Sequence, residues 1–383
     1  MSRRLGALLL LAAVVLLPLS CAPSDAVTIQ GAGASFPAPL SKRWFLEYNL
    51  AHPEARVNYQ AIGSGAGVSQ LQAGLTDFAE SDEALSKAKL AEVAKAIGEG
   101  DGTAVELMQV PITGGAVALC YNLPGNPDLK LPRQVYAGMA LGEIAHWDDE
   151  ALTKANPGVA LPHLPITFIR RAESSGTTFV FTTHLAAIDD RWKLAKDRKP
   201  GSPHLKTPDG PGASKTPQWR VGLGGKGNSG VAALVGQTPG AFGYLEAGYA
   251  ELSGLKVAAL QNRSGAFVLP ASESARVGLE EAVFNDVFGT TVPDPKSAAA
   301  YPIVTFTWAI ARKQYADPRV GETLRAVLSY CLEDAPGRGQ GLSQSLGYVK
   351  LPKATLDRAW LAVQTINAAP NAAQSAVPAE PTK

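Results

Sequence analysis

One short unit recurs three times along the chain: an apolar strand, a turn of small residues, and a helix that starts inside the turn. The strands are predicted at residues 27–30, 57–62 and 166–169, and the turns after them are rich in glycine, serine and threonine. Helical spacing of apolar residues resumes after each turn. Because strands that alternate with helices form a sheet covered by helices, the pattern predicts an α/β fold.

The third of these turns has the chemistry of an anion site. The strand ends in Arg170 and Arg171, and Ser175 and Thr177 can cap the helix because their side-chain oxygens accept hydrogen bonds from its first N–H groups. A helix N-terminus offers N–H donors and partial positive charge, and a guanidinium adds a full charge. An ordinary capped helix after a strand fits this stretch equally well.

Length and composition are those of a globular protein with two domains. The chain has 383 residues, of which 46% are apolar and 18% charged, and its net charge is +1. This balance argues against overall disorder and against a nucleic-acid partner. From residue 368 onward the sequence is rich in alanine and proline, so we expect a disordered tail over 368–383.

The first residues have the pattern of an export signal. Arg3 and Arg4 precede the apolar run 5–17, which is short for a membrane span. Cys21 follows this run, as in bacterial lipoprotein signals, where such a cysteine becomes the lipidated N-terminus. We therefore expect a signal peptide over 1–21 with lipidation at Cys21, and a conventionally cleaved soluble protein is the alternative.

The remaining cysteines, Cys120 and Cys331, could form a disulfide in an oxidising compartment or stay as buried thiols. Neither they nor the scattered histidines have the spacing of a metal site, and we expect no metal and no cofactor. The glycine-rich run 222–231 is superficially similar to a phosphate-binding P-loop. However, Gly227 follows Lys226 where that motif needs serine or threonine, so nucleotide hydrolysis is not expected.

Three further stretches support specific expectations. Asp82 precedes a charged helix predicted at 85–97, and on the sequence alone its best interpretation is a cap of that helix. Residues 189–219 are rich in Pro, Gly, Lys and Asp, and they predict a long exposed loop. Strands at 108–112 and 116–121, on either side of Gly114-Gly115, and a strand at 302–310 are placed to cross between two domains.

Five motifs stand in a fixed order along the chain. They are Gly-Ala-Gly-Ala-Ser-Phe-Pro at 31–37, Gly-Ser-Gly-Ala-Gly-Val at 63–68, Asp-Phe-Ala-Glu-Ser-Asp at 77–82, Arg-Arg-Ala-Glu-Ser-Ser-Gly-Thr at 170–177 and Gly-Gly-Lys-Gly-Asn at 224–228. Over residues 27–366 the chain resembles the periplasmic phosphate-binding proteins of bacterial phosphate-specific ABC transporters. The resemblance implies a type II periplasmic-binding-protein fold, with domain I over 27–111 and 305–366, domain II over 113–301, two crossovers, and a ligand cleft between the domains.

The same resemblance implies which residues hold phosphate. Asp82 corresponds to the family's single carboxylate facing the phosphate, Arg171 to its guanidinium ligand, and Glu173 to an acidic residue that pairs with that arginine. Arg170 is expected to be structural, and Glu80, an extra acid where the family commonly has a small residue, is expected to point away. The predicted phosphate-binding set is Ser35, Phe36, Ser64, Asp82, Arg171, Ser175, Gly176 and Thr177.

The function implied by the resemblance is capture of inorganic phosphate and its delivery to an ABC importer, without catalysis. The implied partners are phosphate and the permease and ATPase subunits, and the implied location is the periplasm or cell surface, with Cys21 as a lipid anchor. Asp82 would select phosphate because phosphate keeps a proton near neutral pH that a carboxylate can accept, whereas sulfate has none. A phosphatase-like relative, a binder of another oxyanion and a structural surface protein are the alternatives.

Overall fold

The structure is a computed structural model that describes residues 26–102 and 104–367. The predicted signal peptide with Cys21 and the predicted tail at 368–383 lie outside the described residues.

Strands and helices alternate along most of the chain. The strands are β1 (Val27–Gly33), β2 (Ala55–Gln60), β3 (Phe78–Ser81), β4 (Leu107–Tyr121), β5 (Lys130–Leu131), β6 (Thr167–Arg171), β7 (Leu223–Gly225), β8 (Ala241–Glu246), β9 (Lys256–Val257), β10 (Ala259–Gln261), β11 (Phe267–Val268), β12 (Val304–Arg312), β13 (Asp334–Ala335) and β14 (Arg338–Gly339). The helices are α1 (Ala38–Ala51), α2 (Ser64–Gln72), α3 (Lys87–Asp101), α4 (Arg133–Leu141), α5 (Glu150–Ala155), α6 (Gly176–Ile188), α7 (Gly227–Gln237), α8 (Ala247–Leu252), α9 (Ser272–Leu279), α10 (Pro318–Cys331) and α11 (Lys353–Val363). The three predicted strand–turn–helix units are therefore present as β1–α1, β2–α2 and β6–α6.

Most strands belong to one mixed sheet with the order β2-β1-β3-β12-β4-β8-β6-β7, and β9 also pairs with β4. β1 is parallel to β2 and β3, and β6 is parallel to β7 and β8. β12 runs antiparallel to β3 and β4, and β8 runs antiparallel to β4. The mixed sheet with helices between its strands confirms the predicted α/β class.

The long strand β4 joins two halves of this sheet. Its first part pairs with β12 as far as Ala116, and its last part pairs with β8 from Val117 onward. We call the half with β1, β2, β3 and β12 the first lobe and the half with β6, β7 and β8 the second lobe. The predicted domain boundaries, at 111–113 and 301–305, lie inside β4 and around the start of β12, and they stay a prediction.

Each lobe has an aromatic core under its helices. In the first lobe, Trp44 and Phe45 of α1 are buried against the sheet. In the second lobe, Phe181 of α6 stacks on Tyr244 of β8 with ring centroids 4.3 Å apart, and Phe168 of β6 packs beside them. Burying a side chain of this size stabilises a fold by about 1.5–3 kcal/mol, so these rings fix how the helices lie on the strands.

The segment 189–219 differs from the exposed loop that its composition predicts. Trp192 is fully buried, and its indole N–H donates to the Ala137 carbonyl at 3.1 Å. Arg198 is 6% exposed, and its guanidinium donates to the backbone carbonyls of Asp190, Lys193, His204, Thr207 and Pro208. The prediction of an exposed loop was wrong for these residues, because one apolar ring and one buried cation fold the segment back onto the second lobe.

Cys120 and Cys331 are both buried and unpaired, so the alternative of buried thiols is confirmed. Within the described ranges, no group of three or more His, Cys, Asp or Glu side chains could hold a metal ion. In the same residues, no helix has the length and hydropathy needed to cross a membrane.

Candidate functional site

The predicted site residues come together where the ends of β1, β3 and β6 meet the starts of α2 and α6. Carboxyl ends of parallel strands and N-termini of helices are where α/β proteins bind ligands. Six of the residues have polar side chains buried here: Ser35 is 4% exposed, Asp82 and Arg171 are 2% exposed, and Ser64, Ser175 and Thr177 are not exposed. Phe36 and Gly176 are buried as well. The structure thus brings all eight residues to one place, and their role as ligands stays a prediction.

Ser35 carries a hydroxyl with three N–H donors around it. Arg171 Nη2 donates at 3.0 Å, Asn228 N at 3.1 Å and Asn228 Nδ2 at 3.0 Å. A hydroxyl oxygen has two acceptor positions and one proton of its own, so these donors fill it as an acceptor. The Ser35 proton is then left to point at an external acceptor. The side chain of Ser35 does not cap α1.

Ser64, at the start of α2, also has a hydroxyl whose acceptor positions are filled by N–H donors. Its Oγ accepts hydrogen bonds from Asp82 N at 3.3 Å and from Gly176 N at 3.2 Å. Both acceptor positions are used by backbone donors, which leaves the Ser64 proton free to donate. Because Ser64 is in the first lobe and Gly176 in the second, this hydroxyl also joins the lobes.

Asp82 lies in the site and does not cap α3. That helix starts at Lys87, and Ser86 caps it by accepting a hydrogen bond from Lys89 N at 3.1 Å. Asp82 Oδ1 instead accepts from Thr307 Oγ1 at 2.9 Å, and Oδ2 accepts from Thr177 Oγ1 at 3.1 Å. The cap interpretation was wrong because a bend separates Asp82 from the helix that it precedes in sequence.

The pKa of the Asp82 carboxyl is raised to about 6, chiefly because burial disfavours its charged form. The hydrogen bond from Thr307 and the positive charge of Arg171 act in the opposite direction. The carboxyl is therefore ionised at neutral pH and becomes protonated in mild acid.

Arg171 is fixed from both sides of its guanidinium. Nε donates to Glu173 Oε1 at 2.9 Å, Nη2 also contacts that carboxylate, and Nη1 donates to Thr177 Oγ1 at 3.1 Å. Glu173 in turn accepts hydrogen bonds from Gly227 N. The pairing of Glu173 with Arg171 agrees with the expectation. Arg170 donates to the Arg171 carbonyl and lies over the Trp219 ring, and these contacts agree with the structural role expected for it.

Ser175 and Thr177, at the start of α6, have different roles. Ser175 is the N-cap, because its Oγ accepts a hydrogen bond from Thr178 N at 3.1 Å. Thr177 does not cap the helix. Its hydroxyl lies between Arg171 and Asp82, accepting from the guanidinium and donating to the carboxylate. One of the two predicted caps is therefore confirmed.

Glu80, the extra acid, is fully buried, but its carboxylate bonds to residues other than the predicted ligands. Ser41 Oγ of α1 hydrogen-bonds to both of its carboxylate oxygens, at 3.1 and 3.0 Å. Burial raises the pKa of Glu80 to about 8, against opposing hydrogen bonds from Tyr59 and Ser41. The carboxyl is thus mostly neutral at pH 7, so this third acid adds little negative charge beside Asp82 and Glu173.

Sequence reasoning missed Asn228 and Thr307. Asn228 belongs to the Gly-Gly-Lys-Gly-Asn motif, so the motif marked it, but the motif does not show that its amide faces Ser35. Thr307 stands in the apolar strand β12, where a polar residue among apolar neighbours was the available signal. Tyr249 was missed as well. Its hydroxyl donates to the Ser35 carbonyl at 2.9 Å and helps to place the first turn.

The arrangement suits a small oxyanion. It offers hydroxyl protons that are directed outward, backbone N–H groups at helix N-termini, one guanidinium, and the carboxylate of Asp82, which can accept a proton carried by the ligand. A fully ionised anion has no proton to give to that carboxylate.

Comparison with known proteins identifies the family. A family profile described as a PBP superfamily domain matches residues 21–335. The phosphate-binding protein PstS of Xylella fastidiosa (strain 9a5c) is 34% identical over 341 residues, covering 88% of this chain and 84% of the relative. PstS of Methanocaldococcus jannaschii is 33% identical over 348 residues, covering 85% of this chain and 83% of the relative.

Solved structures agree on the fold. The phosphate-binding protein of Stenotrophomonas maltophilia superposes with a TM-score of 0.66 at 20% identity, covering 88% of this chain and 93% of that one. A likeness at this identity speaks for the fold, and it confirms the predicted periplasmic-binding-protein architecture. With the family profile and the curated relatives, it shows that the chain belongs to the PstS phosphate-binding proteins of the PBP superfamily.

Proposed function

We propose that this protein is an extracytoplasmic substrate-binding protein that captures inorganic phosphate between its lobes and delivers it to an ABC importer. The observation that carries the proposal is the buried Asp82 carboxylate beside groups that are left to donate to a ligand: the hydroxyl protons of Ser35 and Ser64 and the Arg171 guanidinium. The names of the curated relatives, which are phosphate-binding proteins, support it.

Phosphate is held mainly by neutral donors. Removing an anion from water is costly, so the site must replace its hydration shell with fixed dipoles. The hydroxyls of Ser35, Ser64 and Ser175 and the backbone N–H groups at the start of α6, including that of Thr177, supply those dipoles, and Arg171 supplies one full charge. The three donors on Ser35 Oγ all come from the second lobe, so they turn its proton toward the ligand in the closed arrangement.

Asp82 selects the ligand. Phosphate carries at least one proton near neutral pH, and the ionised Asp82 accepts it. Sulfate would leave the carboxylate facing a like charge in a buried site. This contact would cost several kcal/mol of binding free energy, which lowers sulfate affinity roughly a hundred-fold or more.

Closure of the lobes completes the site. Arg171 and Asn228 of the second lobe contact Ser35 of the first, and Gly176 N contacts Ser64. We propose that the two domains move about the junction in β4 and the start of β12, and that the closed arrangement sequesters phosphate.

The remaining parts of the proposal concern location and partners. We propose that the protein acts in the periplasm or at the cell surface, with a lipid on Cys21 as anchor and the permease and ATPase subunits of the importer as partners, and its membership of the family supports this. Binding without turnover is proposed, in keeping with relatives that are named as binding proteins.

Calorimetric titration of ligand-stripped mature protein with phosphate, and separately with sulfate, tests the function. We expect a phosphate dissociation constant of about 1 μM or lower and no sulfate heat near neutral pH. Comparable binding of both anions, or of neither, would contradict the proposal.

A further inference from the structure

The end of segment 189–219 is hydrogen-bonded to α6 and to its N-cap, Ser175. Ser175 N donates to the Lys215 carbonyl at 3.2 Å, and Thr182 Oγ1 exchanges two hydrogen bonds with the Ser214 backbone, each of 3.1 Å. Arg198 ties the earlier part of the segment together through carbonyl groups. Lys215 is therefore held in a fixed place on the second lobe, directly beside the N-cap of α6.

From this place Lys215 reaches the other lobe. Its Nζ lies 2.6 Å from Glu83 Oε2, and Glu83 follows Asp82 in the chain. Glu83 is itself held by Ser81, whose Oγ donates to the Glu83 carbonyl at 2.7 Å and accepts from Glu83 N at 3.2 Å. The ion pair thus spans the cleft next to the site, between two anchored residues.

The pair is neither fully buried nor fully exposed. The Lys215 side chain is 18% exposed and the Glu83 side chain 28%. Partial burial strengthens the attraction relative to an exposed pair and reduces the loss of hydration relative to a buried one. Opening the cleft would separate the charges and return both to water, so the attraction is present only when the lobes are closed.

We propose that Lys215 and Glu83 form a latch between the lobes that slows the release of the bound oxyanion. The proposal rests on the proposed function and adds to it two positioning residues that do not touch the ligand. A latch acts after encounter, so it lengthens the life of the closed complex and leaves the association rate nearly unchanged.

Lys215 has a second effect at the same place. Its positive charge is one of the influences that favour the ionised form of Asp82, although burial dominates the pKa of that carboxyl. Loss of Lys215 therefore weakens the site in two ways, and Lys215→Met alone cannot separate them. Glu83→Gln can.

Glu83→Gln is the decisive variant because two accounts predict opposite signs. If Glu83 acts only as a negative charge near an anion, its neutralisation slows phosphate release. If it is half of a latch, Glu83→Gln speeds release, by about five- to thirty-fold. Stopped-flow release of phosphate from the full-length protein measures this rate directly.

The latch also predicts coupling. Lys215→Met should speed phosphate release at least as much as Glu83→Gln does. The release rate of the double variant, Lys215→Met with Glu83→Gln, should exceed that of the faster single variant by no more than about twofold. The exchanged pair Lys215→Glu with Glu83→Lys should move release back toward the wild-type rate. Lys256→Met is the matched control, because Lys256 pairs with Asp128 at 2.9 Å within the second lobe. Phosphate release from this variant should be as fast as from wild type.

Each outcome has one meaning. Unchanged or slower release in Glu83→Gln, additive effects in the double variant, or a change confined to the association rate overturns the latch while phosphate binding stands. Wild-type protein that takes up no phosphate overturns the proposed function and the latch with it. Thermal unfolding midpoints close to wild type show that the variants are folded.

Discussion

At the scale of single residues, the site controls the direction of its hydroxyl protons. Ser35 Oγ is surrounded by Arg171 and two donors of Asn228, and Ser64 Oγ by two backbone N–H groups. Each serine is left with a proton to give and little capacity to accept. An anion needs donors of this kind, and the residues that enforce the direction stand behind the predicted ligands.

Asn228→Asp tests this role of the asparagine side chain. A carboxylate oxygen in place of Nδ2 would accept the Ser35 proton and turn it away from the ligand, so phosphate affinity should fall by about a hundred-fold or more. Asn228→Ala should cost less than about ten-fold, because Arg171 and the backbone N–H still fill the hydroxyl. Calorimetric titration with phosphate measures both.

The control for the added charge is Ser229→Asp, one residue further along α7 on an exposed position. Equal losses of phosphate affinity in Ser229→Asp and Asn228→Asp would mean that the added charge alone lowers affinity and that the direction of the Ser35 proton does not matter.

Glu80→Gln should reduce the pH dependence of the free energy of unfolding. The pKa of Glu80 is about 8 in the folded protein and near its ordinary 4.5 in the unfolded chain. Since the folded state holds the extra proton, the stability that Glu80 contributes is full below pH 4.5 and is lost as pH rises through 8. Each pH unit is worth at most about 1.4 kcal/mol, so the loss is on the order of a few kcal/mol.

Urea unfolding at several pH values measures this slope, with the exposed Glu92→Gln as control. If Glu80→Gln keeps the wild-type slope, Glu80 is not the protonated group that the structure implies.

At the scale of elements, local sequence predicts where strands and helices are, but it sets their ends less well. The strand predicted at 27–30 continues through the small residues of its turn to Gly33, and α6 starts at Gly176, inside the turn that follows its strand. In both cases the polar or small residues of the turn are part of the element. Their conformation depends on partners in other segments, such as Gly176 N with Ser64 Oγ, which no local pattern contains.

The same limit explains the error over 189–219. Composition correctly indicates few regular elements, yet Trp192 and Arg198 organise the segment through contacts that composition does not show. The five motifs led to the eight predicted ligands through the family resemblance that they carry. They did not specify Asn228 or Thr307, whose contributions depend on which oxygen they face.

Arg198→Met should loosen the 189–219 segment. Removing the guanidinium leaves several partly buried carbonyls without a donor, and we expect a loss of about 2–4 kcal/mol in unfolding free energy. Amide hydrogen exchange over residues 193–212 should speed up by more than about ten-fold. Lys199→Met, an exposed neighbour, should leave exchange unchanged. Protection that is equal in the two variants would show that Arg198 does not hold the segment.

At the scale of the whole molecule, the site exists only when the lobes meet. Ser35, Ser64 and Asp82 come from the first lobe, while Arg171 and the start of α6 come from the second, and β4 runs between them. Sequence order alone could not predict which atoms meet across the cleft, because the partners are about a hundred residues or more apart in the chain.

Gly176→Ala should hinder closure. A Cβ on Gly176 would lie 2.4 Å from Ser64 Oγ and 2.9 Å from Asp82 N, both in the first lobe. The methyl group would force the lobes apart, so we expect at least a roughly hundred-fold loss of phosphate affinity and no compaction on adding phosphate in small-angle scattering. Gly236→Ala is the control, because its Cβ would come no closer than 3.5 Å to Leu255. Normal compaction of Gly176→Ala would contradict the closed geometry.

The ratio of phosphate to sulfate affinity, followed from about pH 5 to 8.5 in wild type and in Asp82→Asn, shows whether Asp82 recognises the proton on phosphate. The pKa of Asp82 is about 6. Above it the ionised carboxyl accepts the phosphate proton and opposes sulfate, and below it the protonated carboxyl can donate to sulfate. The wild-type ratio should therefore be high at pH 7 and above and fall as pH drops through about 6. The Asp82→Asn ratio should be low and flat, and the exposed Asp128→Asn should follow wild type. A flat wild-type ratio, or an Asp82→Asn profile that matches wild type, would contradict the assignment of Asp82 as the residue that recognises the proton on phosphate.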